Sequence, residues 1–262
     1  MLYGNYHTHT KRCGHASGED EEYVEAAIEA GFKELGFTDH CPWPYKMEGF
    51  YGTGTRMRMD ELDDYFESIR ALGNKYTGQI KIYAGLECEY YEEYLDVLEQ
   101  MHTKADYMIF GAHWITSDEK GHKSTGSITE ADALVQAADN MVRAMESGLF
   151  KCLNHPCHML CSYTAFDSTC RDVSEKLCET AKKLSIPVEY NLYGSMKKDA
   201  GKFKGLGYPC PEFWEIAAET GCKAIIGVDA HKPSMLLDIE RMERAQDYLD
   251  SLGMEVIDRI LI

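Results

Sequence analysis

The chain has 262 residues, 44% of them apolar, and a formal charge of −17. That length and apolar share suit a globular α/β protein and argue against disorder. The net charge argues against a general nucleic-acid or membrane-surface binder, because phosphate backbones and anionic lipids would be repelled. The N-terminal MLYGNYHTHT has no basic segment and no long apolar one, so no secretory signal is expected. No stretch approaches the ~20 apolar residues of a membrane span. Ten cysteines without such a signal point to free thiols in the cytoplasm. Cys157 and Cys161 have no second pair at zinc-finger spacing.

Short runs rich in branched and aromatic residues predict strands at 2–6, 34–38, 80–86, 107–111, 151–154, 187–191 and 224–228, with a weaker run at 255–262. Runs such as MIFGA and AIIGV are near-continuously apolar, as strands covered on both faces are. Helical patterns lie between them. SGEDEEYVEAAIEAG opens with Ser17 as N-cap, places Tyr23, Ala26, Ala27 and Ala30 on one face, and closes at Gly31. A second helix is expected at 59–72, with Leu62, Tyr65, Phe66 and Ile69 as its stripe, and others at 128–147, 171–184, 211–220 and 234–252. The Pro-, Gly- and aromatic-rich segment 40–58 has no clear periodicity and reads either as a lid or as a surface excursion. Strand–helix alternation predicts a mostly parallel sheet. Seven or eight such units without a linker predict one closed barrel domain over 1–262.

The ends of these strands carry the chemistry. His7 and His9 stand in HTH, Asp39 and His40 in TDH, Glu87 in GLE, His113 in GAH, His155 in NHP, and Asp229 and His231 in VDAH. In a parallel barrel all these ends open onto one C-terminal rim, so side chains distant in sequence converge there. Imidazole and carboxylate are ligands for Zn, Mn or Fe. Nine such groups are too many for one ion, which points to several divalent metals in one cluster.

The ordered set HTHT, GFTDH, GLE, GAH, NHP and VDAH resembles the PHP (polymerase and histidinol phosphatase) superfamily over nearly the whole chain. RMRMDELDDYFESIRAL, IYAGLECEY, VEYNLYG and GVDAHKP are similar to its histidinol-phosphate phosphatase branch. The resemblance implies a distorted (β/α)7 TIM-like barrel with three divalent ions at the C-terminal rim. It places His7, His9, Glu87 and Asp229 around the first ion, and Glu87, His113 and His155 around the second. His15, His40 and His231 surround the third; His15, in CGHASG, enters through the resemblance alone. The implied activity is a phosphomonoesterase of histidine biosynthesis, converting L-histidinol phosphate and water to L-histidinol and phosphate. A hydroxide bridging two metals beside Glu87 would be the nucleophile, oriented by Asp229, with His231 chiefly a ligand.

The chain departs from that branch in two places. It has Phe110-Gly111-Ala112-His113 where relatives carry Ser-Val-His or similar, and the loop NLYGSMKKDAGKFKG lacks their Arg. Lys197 or Lys198 would replace that cation as a point charge. Arg56, Arg58 and His158 are the other expected phosphate-binding residues. Glu189 and Asn191 either meet a substrate ammonium or imidazole or are satisfied within the fold. His102 and His122 are expected on the surface. A second reading keeps the metals and changes the substrate to another small phosphomonoester or a nucleotide; a third is a non-catalytic metal-binding domain. The expected partner is a small phosphorylated substrate, with no nucleic acid, since no basic stripe offsets the acidity, and no membrane. Assembly of identical chains is left open.

Overall fold

Among the described residues, eight parallel strands form one sheet in chain order: β1 (Gly4–Asn5), β2 (Glu34–His40), β3 (Lys81–Cys88), β4 (Met108–Gly111), β5 (Leu153–Asn154), β6 (Val188–Asn191), β7 (Lys223–Gly227) and β8 (Glu255–Val256). The computed structural model describes residues 2–44, 54–117 and 124–262; His122 and the middle of the 40–58 segment lie outside them. The helices are α1 (Asp20–Glu29), α2 (Leu62–Lys75), α3 (Leu95–Lys104), α4 (Ala131–Glu146), α5 (Ser168–Leu184), α6 (Leu192–Asp199), α7 (Pro211–Thr220) and α8 (Ile239–Ser251).

The sheet curls until the chain beyond β1 meets the chain beyond β7. Thr8 pairs in parallel with Ala230. The His9 amide donates to the Ala230 carbonyl at 2.9 Å, and the Ala230 amide to the His7 carbonyl at 3.2 Å. The Asn5 side chain accepts from the Val228 amide at 2.9 Å. β8 instead pairs with the start of β7, Lys223 opposite Glu255. The seven expected strands are thus joined by an eighth, of which the weak run 255–262 supplies two residues.

Local chemistry explains most of the elements. β2 is buried at every position. α1 buries Tyr23, Ala26 and Ala27, and its C-cap Ala30 is buried beside them, as the spacing predicts; Gly31 follows at φ 87°. Its N-cap is Glu19 rather than Ser17, because Glu19 and Glu22 form a reciprocal capping box. The Ser17 carbonyl instead accepts from the Tyr23 hydroxyl at 2.9 Å. α2 buries Leu62, Tyr65, Phe66 and Ile69. α7 occupies its expected span and opens with Pro, which fits the first helical position.

α3 and α6 are additions to the sequence-based expectation. α3 buries only Leu98 and Met101, a stripe too thin to stand out. α6 starts directly from β6, capped by the Asn191 side chain on the Gly194 amide. The supposed loop NLYGSMKKDAGKFKG therefore begins as helix.

The larger apolar cluster joins strands to helices. A smaller one gathers Tyr6, Tyr83, Tyr107, Ile109, Cys152, Ile225 and Ile260. By strand alternation Tyr83 shares a face with Glu87, and Ile109 with Gly111, so this second cluster is a floor beneath the strand-end histidines. No described helix is long and apolar enough to cross a membrane.

Candidate metal centre

His40 is the last residue of β2 and Glu87 the last but one of β3. His155 follows β5 directly, while His7, His113 and Asp229 stand two residues beyond β1, β4 and β7. Two of these positions are strained: His155 has φ 28° and Asp229 has φ 53°. A left-handed backbone at a non-glycine residue costs of the order of 1–3 kcal/mol and persists where the surroundings impose it.

Two imidazole nitrogens and two carboxylate oxygens cluster here. His7 Nε2 lies 3.1 Å from His9 Nε2, 3.4 Å from Glu87 Oε2 and 3.4 Å from Asp229 Oδ1. His9 Nε2 lies 3.5 Å from Glu87 Oε2 and 3.1 Å from Asp229 Oδ1. A tetrahedron built on metal–ligand bonds of about 2.0–2.1 Å has edges of about 3.3–3.4 Å. Glu87 Oε2 and Asp229 Oδ1 are buried without a hydrogen-bond partner. Such atoms are costly unless a ligand satisfies them.

The other Glu87 oxygen, Oε1, faces His155 Nε2 at 2.8 Å and His113 Nε2 at 3.5 Å. His40 Nδ1 lies 3.0 Å from Glu87 Oε2. On the far side of His9, His15 Nε2 meets His231 Nε2 at 2.9 Å. Both of these rings are fixed by backbone carbonyls, His15 Nδ1 on Cys13 at 3.0 Å and His231 Nδ1 on Asp229 at 3.0 Å. Each Nδ1 therefore carries the proton and two Nε2 lone pairs confront each other, an arrangement that calls for a cation. The donor groups His9–His40–His231, Cys13–His15–His231, His7–Glu87–His155 and His7–His9–Asp229 each lie within 4.8 Å. The residues fit divalent cations.

Outer groups hold these donors. Glu189 Oε1 accepts from His7 Nδ1 at 2.7 Å, which turns the Nε2 lone pair inward. Glu189 Oε2 accepts from the His155 amide at 3.1 Å and from Asn191 Nδ2 at 2.8 Å. Asn191 Nδ2 also reaches Asp229 Oδ2 at 3.1 Å. Glu189 and Asn191 thus face the strand-end donors rather than a substrate. Asp39 Oδ2 accepts from the Thr10 amide at 3.2 Å, and its Oδ1 lies 3.5 Å from His9 Nδ1. Glycines make room: a Cβ on Gly111 would stand 2.2 Å from Glu87 Oε1, and one on Gly227 1.8 Å from Glu189 Oε1.

Burial would push the Glu87 carboxyl up, but His113, His7 and His40 hold it well below the usual carboxylate range. Asp229 is likewise low against burial, through His7, His231 and His9. Burial lowers His40 far below its ordinary value and His231 to about 3, each reinforced by His9. His9 is held up to about 9 despite burial, by Asp229 and Asp39. Against burial, Glu189, Asp229 and Glu87 also hold His7 well above its ordinary value, and Glu87 and Glu89 raise His113. The carboxylates are thus ionised as a metal requires, while a cation would have to displace the protons that the carboxylates hold on His7, His9 and His113.

A cavity of about 180 Å³ opens over these groups, walled by Arg56, Trp114, His158, Tyr193, Lys197 and Tyr208. Tyr193 stacks on His231 at 4.6 Å, and Lys197 Nζ sits 4.0 Å over the Tyr193 ring. Arg56 is buried in a two-pronged ion pair with Glu89, at 3.0 and 3.1 Å, and Trp43 Nε1 donates to the same carboxylate at 3.0 Å. Arg56 is therefore a structural cation as well as a wall of the cavity. Two expected phosphate binders lie elsewhere. Arg58 is exposed, paired with Asp60. Lys198 Nζ donates to the Pro209 carbonyl at 2.7 Å, because one step along α6 from Lys197 turns it away. His102 is half-buried on α3. All ten cysteines are buried free thiols. Sequence reasoning missed Glu89, although it stands two residues beyond Glu87 in GLECE, and missed Cys13 beside His15.

Known proteins extend these observations. A Deinococcus radiodurans protein named "Probable histidinol-phosphatase" is 28% identical over 242 residues, covering 87% of this chain and 85% of the relative. The Bacillus subtilis histidinol-phosphatase is 30% identical over 118 residues, 43% of this chain and 44% of the relative. The structure of histidinol phosphate phosphatase from Lactococcus lactis, complexed with Zn, L-histidinol and phosphate, superposes with a TM-score of 0.68 at 17% identity, covering 100% of this chain and 99% of that one. The PHP domain profile matches residues 5–193, well over half of the sequence and most of the strand-end donors, and the chain belongs to the PHP domain family.

Proposed function

We propose that this protein is a metal-dependent phosphomonoesterase that hydrolyses L-histidinol phosphate to L-histidinol and phosphate. The reading treats residues 1–262 as one distorted (β/α)7 barrel domain, with β8 as an added strand, and sets the metals at the mouth of the cavity. The observation that carries it is the set of inward donors: His7 Nε2 and His9 Nε2 lie 3.1 Å apart and each lies 3.1–3.5 Å from Glu87 Oε2 and Asp229 Oδ1, two carboxylate oxygens buried without a hydrogen-bond partner.

His7, His9, Glu87 and Asp229 would hold one ion, Glu87, His113 and His155 a second, and His15, His40 and His231 a third, with Zn, Mn or Fe all suited to such donors. Bound there, such ions lower the pKa of water toward neutrality and offset the charge of a phosphoryl group. The protein's own contribution is placement. The two oxygens of Glu87 face different donor groups, as a bridging carboxylate requires. Glu189 fixes the His7 tautomer, and Asn191 steadies Asp229. Lys197 and Arg56 supply positive charge to the cavity, the latter already shared with Glu89.

Phosphate release by the metal-loaded protein tests this reading, with L-histidinol phosphate, nucleotides and sugar phosphates side by side. L-Histidinol phosphate is expected to give the highest kcat/KM. A higher value for a nucleotide or sugar phosphate would keep the chemistry and replace the substrate. Bound metal without turnover of any ester would refute the enzyme.

A further inference from the structure

The cavity wall contains an imidazole whose proton position the surrounding hydrogen bonds fix. Thr125 Oγ1 contacts three atoms: the Ala112 carbonyl oxygen, the His113 carbonyl oxygen at 3.1 Å and His158 Nδ1 at 2.8 Å. A hydroxyl has one hydrogen, and carbonyl oxygens only accept. If the hydroxyl gave its hydrogen to His158, two carbonyl oxygens would face its lone pairs. The hydrogen therefore goes to a carbonyl, and His158 Nδ1–H donates to Thr125.

The ring has little room to turn. A Cβ on Gly126 would stand 2.9 Å from His158 Cε1 and 3.3 Å from Nε2. Tyr208 packs edge-on at a centroid distance of 5.4 Å. Among the described residues Nε2 has no hydrogen-bond partner, and His158 lines the cavity. In the neutral ring the single proton on Nδ1 leaves Nε2 unprotonated. Nε2 thus presents a bare lone pair to whatever occupies the cavity.

We propose that His158 is a specificity-determining residue whose Nε2 accepts a hydrogen bond from an N–H donor on the leaving-group part of the substrate, not a phosphate ligand. The inference deepens the phosphatase reading above and rests on it. A lone pair repels phosphoryl oxygens, which are themselves acceptors, and attracts an ammonium or an imidazole N–H. L-Histidinol phosphate carries both kinds of donor in its leaving group; p-nitrophenyl phosphate carries neither. The cavity is then divided by chemistry, with Lys197 and Arg56 on the phosphoryl side and His158 on the amino-alcohol side.

The test compares the metal-loaded wild type with His158→Leu and His158→Gln on those two substrates. A hydrogen bond to a charged donor corresponds to roughly 10–100-fold in binding. The ratio of kcat/KM for L-histidinol phosphate over p-nitrophenyl phosphate should fall by about that factor in His158→Leu. His158→Gln, which keeps an acceptor near the Nε2 position, should recover part of it. Equal losses on both substrates, with a matching rise in the inhibition constant of inorganic phosphate, would overturn the proposal and make His158 a phosphate ligand. Wild-type protein that hydrolyses p-nitrophenyl phosphate but not L-histidinol phosphate would instead defeat the substrate reading, and with it the donor for His158. Nitrogen-15 NMR of labelled histidines, assigned by the signal lost in His158→Leu, should find the proton on Nδ1. A proton on Nε2 overturns the proposal whatever the kinetics.

Discussion

The two ends of the same strands treat buried polar groups in opposite ways. At the floor, the buried Glu34 carboxylate accepts from the Tyr6 hydroxyl at 2.5 Å and lies 3.4 Å from the Tyr83 hydroxyl. The Tyr107 hydroxyl donates to the Tyr6 carbonyl at 2.8 Å. These groups are satisfied by one another, and apolar side chains such as Ile109, Ile225 and Ile260 fill the space around them. At the rim, Glu87 Oε2, Asp229 Oδ1, His9 Nδ1 and His155 Nδ1 are buried without a hydrogen-bond partner, and two of the four residues sit in left-handed backbone. Folding alone favours the first arrangement; the second persists where something from outside completes it. Both ends are rich in buried polar side chains, and satisfaction is what separates structure from function.

That contrast is broken most severely by Glu87→Gln, which keeps the shape and removes the charge facing both donor groups. We expect the substituted protein to lose bound metal and more than about 100-fold in phosphatase rate, since even outer-shell changes cost 10–100-fold. Metal analysis and phosphate release read both; retained metal with an undiminished rate would remove Glu87 from the centre. Glu189→Gln should be milder. It leaves every inner donor in place and weakens the hold on His7, so metal affinity is expected to fall roughly 10–100-fold. Competition with a chelator measures this, and unchanged affinity would make Glu189 a core residue only. Glu34→Gln acts on the floor. It should cost about 1–3 kcal/mol of stability in urea unfolding, through the weakened Tyr6 hydrogen bond, and leave metal content unaltered. A drop in metal content there would show that the two ends are not independent.

Much of this was legible in the sequence, and the reasons differ by level. Apolar runs between helical patterns located β1 to β7, because strands covered on both faces leave unbroken apolar runs. The strand-end donors were legible because parallel topology turns a repeated position into a shared place. Arg58 and Lys198 were not, because a cation's reach depends on which way a single turn rotates it. Arg58 falls beside Asp60 at the start of a turn, and Lys198 lies one residue past Lys197 on a helix that the composition KKDAG conceals. Glu189 was ambiguous for a similar reason. In VEYN its alternation marks an inward side chain but does not say whether a substrate or His7 awaits it. Arg56→Ala, a natural probe of phosphate binding from the sequence, is a poor one in the structure. It would leave Glu89 buried without its cation, and breaking a buried pair costs about 3–5 kcal/mol.

The central claim is that donors from separate strands hold cations together at the rim. Anomalous diffraction from crystals of the metal-loaded protein tests it directly. The account predicts a peak about 2.0–2.2 Å from His7 Nε2, His9 Nε2, Glu87 Oε2 and Asp229 Oδ1 at once, with further peaks beside His113–His155 and His15–His231. Metal-replete crystals in which those four atoms surround no peak and bond only to one another would contradict it.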